Sequence, residues 1–320
     1  MASEFDLIAR YFTRPTPSAR LGVGDDAALL APEPGFELAV SSDMLVAGTH
    51  FFADADPVAL GHKALAVNLS DLAAMGARPR WALLSLALPE ADEAWLEQFS
   101  SGFLALADVH GVELVGGDTT RGPLNLSVTI LGEVEAGQAL RRDAAQAGDD
   151  IWVSGELGGA ALGLAWLKGE LALEANEAAD CLDRLQRPRP RLALGRALLG
   201  LAHAAIDISD GLLADLGHIL ERSRLGAQLH LASLPLAQAA ARRLEQPQVL
   251  RAVVAGGDDY ELCFTAPPAQ AAQVLQAAAA VGVPVARVGS ITAEPGLALF
   301  DAHGGLMPMD AGGFDHFAGR

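Results

Sequence analysis

Ala204-Ala205-Ile206-Asp207-Ile208-Ser209-Asp210-Gly211-Leu212-Leu213 is the stretch from which the fold reads most directly. A short apolar run over 204–208 predicts a strand, and the helical periodicity over 212–224 predicts a helix entered through Gly211. Strand alternation puts Asp207 and Ser209 on one face, while Asp210-Gly211 makes the turn. Carboxylates and a hydroxyl at a strand end that opens into a helix suit phosphate chemistry, and Ser209 near the helix N-terminus is placed to meet a phosphate.

Three further clusters repeat the pairing of aspartate with glycine: Gly24-Asp25-Asp26, Gly116-Gly117-Asp118 and Gly256-Gly257-Asp258-Asp259. Ser41-Ser42-Asp43 follows a strand predicted over 36–41, and Asp71 lies in the last turns of a helix that opens at Asp56-Pro57 and stops at Gly76. A carboxylate near a helix C-terminus is electrostatically misplaced unless a cation compensates. Clustered carboxylates repel and lose hydration when enclosed, so several in one fold call for cations. Hard, oxygen-seeking Mg2+ is the natural choice.

Outward from these motifs, the chain reads as two halves of mixed α/β character. The first contains a helix over 3–12, strands over 27–31 and 36–41, the Asp56 helix, a strand over 79–88, a helix over 92–110, and strands over 112–115 and 124–134. A polar stretch over 137–150 marks the junction, giving expected domains at 1–140 and 141–320. The second half alternates strands over 151–154, 204–208, 260–265 and 285–291 with helices over 159–168, 191–201, 212–224 and 267–281.

Composition narrows the function. A chain of 320 residues with 51% apolar content supports about two domains with a substantial core. The net charge of -18 speaks against a nucleic-acid partner, whose phosphates require clustered Lys and Arg. Cys181 and Cys263 lie far apart without CxxC or Cys/His zinc spacing, which fits a reduced, cytoplasmic protein. The N-terminal residues carry no secretory pattern, and no apolar run reaches the roughly 18 residues of a membrane span. GxxxxGK[ST] is absent, and Gly22-Val23-Gly24 does not complete GxGxxG, so phosphate binding through a glycine-rich amide nest is not indicated. Arg142 is a candidate phosphate clamp; chemistry alone assigns no role to His50 or Glu261.

Taken in order, Gly24-Asp25-Asp26-Ala27, residues 41–51, residues 68–77, Gly116-Gly117-Asp118-Thr119, residues 207–212, residues 256–262 and Gly313-Phe314-Asp315-His316-Phe317 resemble the thiamine-monophosphate kinases over nearly the whole chain. The resemblance implies the aminoimidazole ribonucleotide synthetase-like fold: an N-terminal ATP- and Mg2+-binding domain whose sheet pairs in a homodimer or barrel, and a C-terminal α/β domain closing over the nucleotide. It implies ATP-dependent phosphorylation of thiamine monophosphate to the diphosphate, with several Mg2+ ions. Asp26, Ser41, Ser42, Asp43, Asp71, Asp118, Asp207 and Asp210 would be metal ligands. Gly117, Asp118, Arg142 and Ser209 would hold ATP, with Asp210 and Arg142 supporting transfer, and His50, Glu261 and Phe317 would shape the substrate pocket. Where the resemblance implies an aromatic near Phe99-Ser100-Ser101-Gly102, this chain has serines.

Other readings within the superfamily lack their cysteines: none precedes Cys181, as a selenophosphate synthetase requires, and the chain ends Gly319-Arg320 rather than in the cysteine of a hydrogenase-maturation protein. A non-catalytic Ca2+-binding module would show a DxDxDG ligand frame, which the chain does not contain.

Overall fold

Ser3 opens the first helix, α1 (Glu4–Leu7), through a reciprocal cap in which its hydroxyl accepts the Asp6 N–H and the Asp6 carboxylate accepts the Ser3 N–H. The computed structural model describes residues 3–308; Phe317 and its motif lie outside them. Two compact units divide the chain, Met1–Leu72 with Ala77–Gly137 and Ala73–Gly76 with Gln138–Arg320.

The N-terminal unit carries a four-stranded sheet of β1 (Phe36–Val46), β2 (Arg78–Leu88), β3 (Glu113–Arg121) and β4 (Asn125–Glu135) in the order β1-β4-β2-β3. Only β2 and β3 run parallel, joined through α3 (Glu93–His110), as a parallel pair requires a crossover. Asp56 caps α2 (Pro57–Ala74) by accepting the Val58 N–H, and Asp92 caps α3. Trp81, Leu65, Leu69, Phe99 and Phe103 form the centre of this core.

Helices α2 and α3 approach through glycines. A Cβ at Gly61 would lie 2.1 Å from the Phe99 carbonyl oxygen, and one at Gly102 would lie 2.0 Å from that of Val58. The backbones touch where any side chain would separate them.

Three expectations are corrected here. No strand forms over 27–31; that exposed segment makes only an isolated bridge between Leu21 and Leu29, because it has no neighbouring strand to complete a ladder. β1 does not end at Ser41 but runs on to Val46, held by an unbroken antiparallel ladder with β4. β3 likewise continues past Val115 through the glycines to Arg121, its register with β2 absorbing a bulge.

The C-terminal unit holds a six-stranded sheet. Its strands are β5 (Asp150–Ser154), β6 (Ala204–Asp207), β7 (Gly226–His230), β8 (Leu262–Ala266), β9 (Val285–Thr292) and β10 (Gly296–Phe300), in the order β10-β7-β9-β5-β8-β6. Around it lie α4 (Gly159–Leu167), α5 (Ala175–Gln186), α6 (Leu192–Ala197), α7 (Leu212–Ser223), α8 (Gln238–Ala241), α9 (Pro247–Ala255) and α10 (Ala271–Ala280). Only β10 and β7 pair in parallel, so this sheet too is mainly antiparallel. The helix expected over 191–201 covers only α6, and α5, α8, α9, β7 and β10 were not expected.

Glu177 ties α5 to the rest of this unit. Its buried carboxylate accepts from Arg243 at 2.6 Å and from Arg242 at 2.9 Å. The Arg243 hydrogen bond, above all, holds its pKa down at about 2, against 4.5 in an ordinary glutamate. A lowered folded-state pKa contributes stability above pH 4.5 and loses it as pH falls towards 2. Denaturant titrations of the wild type are expected to weaken across that window, and Glu177→Gln to flatten this part of the profile; an unaltered acid limb would refute the assignment.

Candidate functional site

In the C-terminal unit two loops lie side by side at the ends of β6 and β8. The Ile208 N–H donates to the Glu261 carbonyl at 2.7 Å, the Tyr260 N–H to that of Ile208 at 2.8 Å, and the Asp258 N–H to that of Ser209 at 2.9 Å. Sequence positions fifty residues apart thus form one surface. Asp258 (φ 69°) and Tyr260 (φ 48°) both adopt the left-handed conformation, which is uncommon for non-glycine residues, least so for Asp.

Each acidic residue of these loops has a distinct setting. Asp207 is buried, and Ser209 and Asp210 are half-buried. Asp259 accepts the Gly158 N–H at 2.8 Å at the start of α4; burial pushes its carboxyl up to about 8, against that hydrogen bond. The Glu261 carboxylate is buried, accepting from Nε and Nη2 along one edge of the Arg191 guanidinium and from the Ser154 hydroxyl at 2.5 Å. Arg191 stands 70 positions away, and no spacing rule connects the two. Asp215, in the first turn of α7, accepts the N–H groups of Ser209, Asp210 and Gly211 at 3.0, 3.0 and 3.1 Å. Burial lifts its carboxyl to about 7 in spite of those amides.

In the N-terminal unit the candidate ligands lie on β1, α2 and β3. The Ser41 hydroxyl donates to Asp71 at 2.5 Å, and the Asp43 N–H donates to the Asn68 side chain at 3.1 Å, so β1 and α2 meet through these four residues. Alternation along β1 puts Ser42 on the opposite face, where its hydroxyl lies 3.0 Å from that of Thr129. Gly117 (φ 144°) sits in β3 with the Leu84 carbonyl oxygen 1.8 Å from where a Cβ would be, and exposed Asp118 follows it opposite Ser85 of β2. Asp26 is on an exposed turn, its N–H donating to Asp25. His50 Nδ1 accepts the Val46 N–H at 3.0 Å, which leaves the ring proton on Nε2. Ser100 and Ser101 return their hydroxyls to carbonyls of α3.

Arg142, in the C-terminal unit, lines a cavity of about 540 Å³ together with His218, Glu221, Arg222 and Arg224. In an acidic chain, this concentration of cationic groups is suited to an anion. Among the described residues no group of three or more His, Cys, Asp or Glu side chains is close enough to hold a metal ion, and no helix is long and apolar enough to cross a membrane.

Residues 24–134 match AIR synthase related protein, N-terminal domain, and residues 146–302 match AIR synthase related protein, C-terminal domain. The thiamine-monophosphate kinase of Escherichia coli K12 is 48% identical over 319 residues, covering 98% of each chain. A crystal structure of thiamine-monophosphate kinase from Stenotrophomonas maltophilia superimposes with a TM-score of 0.83 at 50% identity, covering 92% of this chain and 94% of that one. The chain belongs to the thiamine-monophosphate kinase family. A further family member, AaThiL complexed with AMPPCP and TMP, superimposes with a TM-score of 0.78 at 31% identity, covering 90% of this chain and 89% of that one.

For a thiamine-monophosphate kinase sequence, glycine-aspartate strings point to the loops but not to their partners. Arg191, Ser154 and Asp215 went unnoticed in the sequence. The one available signal was at Asp215, an acidic residue in the apolar first turn of a helix that already follows a motif.

Proposed function

We propose that this chain transfers the γ-phosphoryl group of ATP to the phosphate of thiamine monophosphate, giving thiamine diphosphate and ADP. The observation that carries it is the backbone pairing of the 207–211 and 256–261 loops, which joins a phosphate-type motif to the segment ending in Glu261. AMPPCP and TMP, read as an ATP analogue and thiamine monophosphate, correspond to the two substrates.

The acceptor oxygen is already ionised at neutral pH, so direct in-line transfer needs no general base. The obstacle is repulsion between two polyanions. Arg142 would clamp phosphate, Ser209 would meet the nucleotide through its hydroxyl, and Gly117 with Asp118 would let the backbone come close to it. Glu261, held by Arg191 and Ser154, and His50 would define the thiamine side, with Phe317 as an expected aromatic surface.

The candidate donors are carboxylate and hydroxyl oxygens, a set that fits Mg2+. Magnesium usually takes one or two carboxylates and fills its remaining positions with water and substrate phosphate, so a dedicated all-protein cage is not required. Several such ions would be held, by Asp43, Asp71, Asp118, Asp26, Ser41 and Ser42 in the N-terminal unit and by Asp207 and Asp210 in the C-terminal unit. Bound there, they supply charge neutralisation and orientation of the phosphates. Purified protein given ATP, Mg2+ and thiamine monophosphate is expected to yield thiamine diphosphate, and excess EDTA to abolish the reaction. No product under these conditions would sink the kinase reading.

We further assign residues 1–140 to nucleotide, Mg2+ and dimer contacts and residues 141–320 to the second catalytic domain. Leu38, Val40 and Met44 are exposed along one face of β1, the apolar patch expected of a self-associating sheet. Sedimentation equilibrium is expected to give a dimer that Val40→Asp dissociates; a wild-type monomer would overturn this. A cytoplasmic setting is supported by Cys181 and Cys263, both buried as free thiols, with burial pushing Cys181 up to about 11.

A further inference from the structure

Helix N-termini that serve phosphate usually offer their backbone N–H groups to the ligand. At α7 the arrangement is reversed. The N–H groups of Ser209, Asp210 and Gly211 all converge on one oxygen of Asp215, a side chain that is 2% exposed and belongs to the helix these residues lead into. The Asp215 N–H closes the turn by donating to the Gly211 carbonyl at 3.0 Å. An internal carboxylate therefore occupies the place an anion would take, and three consecutive amides are directed into the protein.

We propose that Asp215 is a positioning residue for phosphoryl transfer: it holds the 209–211 backbone inward, so that this loop meets the nucleotide and its cation through the Ser209 and Asp210 side chains rather than through amides. The inference rests on the proposed roles of Ser209 and Asp210. Its chemistry is that of a template. Three hydrogen bonds to one carboxyl oxygen fix three successive peptide planes at once. The neighbouring loop then locks the same segment from the other side, the Asp258 N–H donating to the Ser209 carbonyl and the Tyr260 N–H to that of Ile208. Without Asp215, three consecutive amides, that of Gly211 buried, lose their acceptor, and the segment is free to rotate them towards solvent or ligand.

The role separates the two substrates, which gives the test its readout. Asp215→Ala is expected to raise the KM for ATP and the half-saturating Mg2+ concentration by about tenfold, the equivalent of one lost hydrogen bond. The KM for thiamine monophosphate should stay within about twofold, because the Glu261, Arg191 and Ser154 contacts do not include Asp215. Asp215→Glu, which keeps the carboxyl group, should recover part of the ATP affinity. Where Asp215→Ala fails to fold, Asp215→Asn supplies the measurement, since it keeps the side-chain volume and one acceptor oxygen.

Calorimetric titration of each folded variant with Mg2+ and AMPPCP separates this proposal from the functional reading beneath it. A wild type that binds the nucleotide but makes no thiamine diphosphate defeats the kinase reading alone, and weakened nucleotide binding in the variants still supports Asp215. Unchanged nucleotide affinity and Mg2+ dependence in the variants, or equal rises in both KM values, overturn the positioning role.

Discussion

Asp71→Asn is expected to lower kcat for thiamine diphosphate formation by about 10²–10³, the size seen when one electrostatic catalytic contact is lost, about 2.7–4 kcal/mol. Asp71 stands in the last turns of α2, where the helix dipole disfavours a negative charge, and it accepts a short hydrogen bond from Ser41. A charge that the helix dipole opposes is compensated by a bound cation. Asparagine preserves the shape and an acceptor for Ser41 while removing the charge. The thermal midpoint should accordingly move little, and steady-state kinetics with varied Mg2+ should show the loss partly relieved at high metal concentration. A kcat within about threefold of wild type would remove Asp71 from the proposed ligand set.

Gly102→Ala produces the largest expected loss of stability, about 3 kcal/mol, at the upper end of what overpacking costs in a filled core. The added Cβ would sit 2.0 Å from the Val58 carbonyl oxygen, a backbone atom that no rotamer change can move aside. Relief requires α3 to withdraw from α2, which opens the packing around Phe99 and Phe103 and exposes the Phe99 carbonyl against Gly61. Calorimetry should register an earlier transition, lower by about 10 °C for a unit of this size. Because α2 also carries Asn68 and Asp71, the folded fraction should lose activity too. An unchanged transition would mean that the helices separate without cost.

Much of the N-terminal unit was legible from local signals, since Asp56-Pro57, Asp92 and the glycines at 76 and 111 mark helix ends by their own chemistry. α5 carries the helical i, i+3, i+7 stripe of Ala178, Cys181 and Leu185, but its N-cap is Glu174 rather than a Ser, Thr, Asp or Asn, and its other positions are mostly polar, so no start signal marks it. β7 and β10 are five residues each and pair with one another in parallel, so neither has a turn that announces its partner. The strand expected over 27–31 failed for the opposite reason, an apolar run whose neighbouring segment pairs with it only at the Leu21–Leu29 bridge.

The same division runs through the candidate site. Residue type and spacing placed Asp207, Ser209 and Asp210 at the end of a strand and the start of a helix, because alternation and capping are properties of a few consecutive residues. Sequence alone also determined the acidic, oxygen-rich character that suits a hard cation and the absence of a glycine-lysine phosphate loop. Only tertiary structure decided that Arg191 and Ser154 hold Glu261, that Ser42 is turned from Ser41 and Asp43 by a strand longer than its apolar run, and that Asp215 draws three amides inward. Those outcomes depend on which buried donor finds which acceptor across the fold, a choice made by desolvation and packing rather than by any order along the chain.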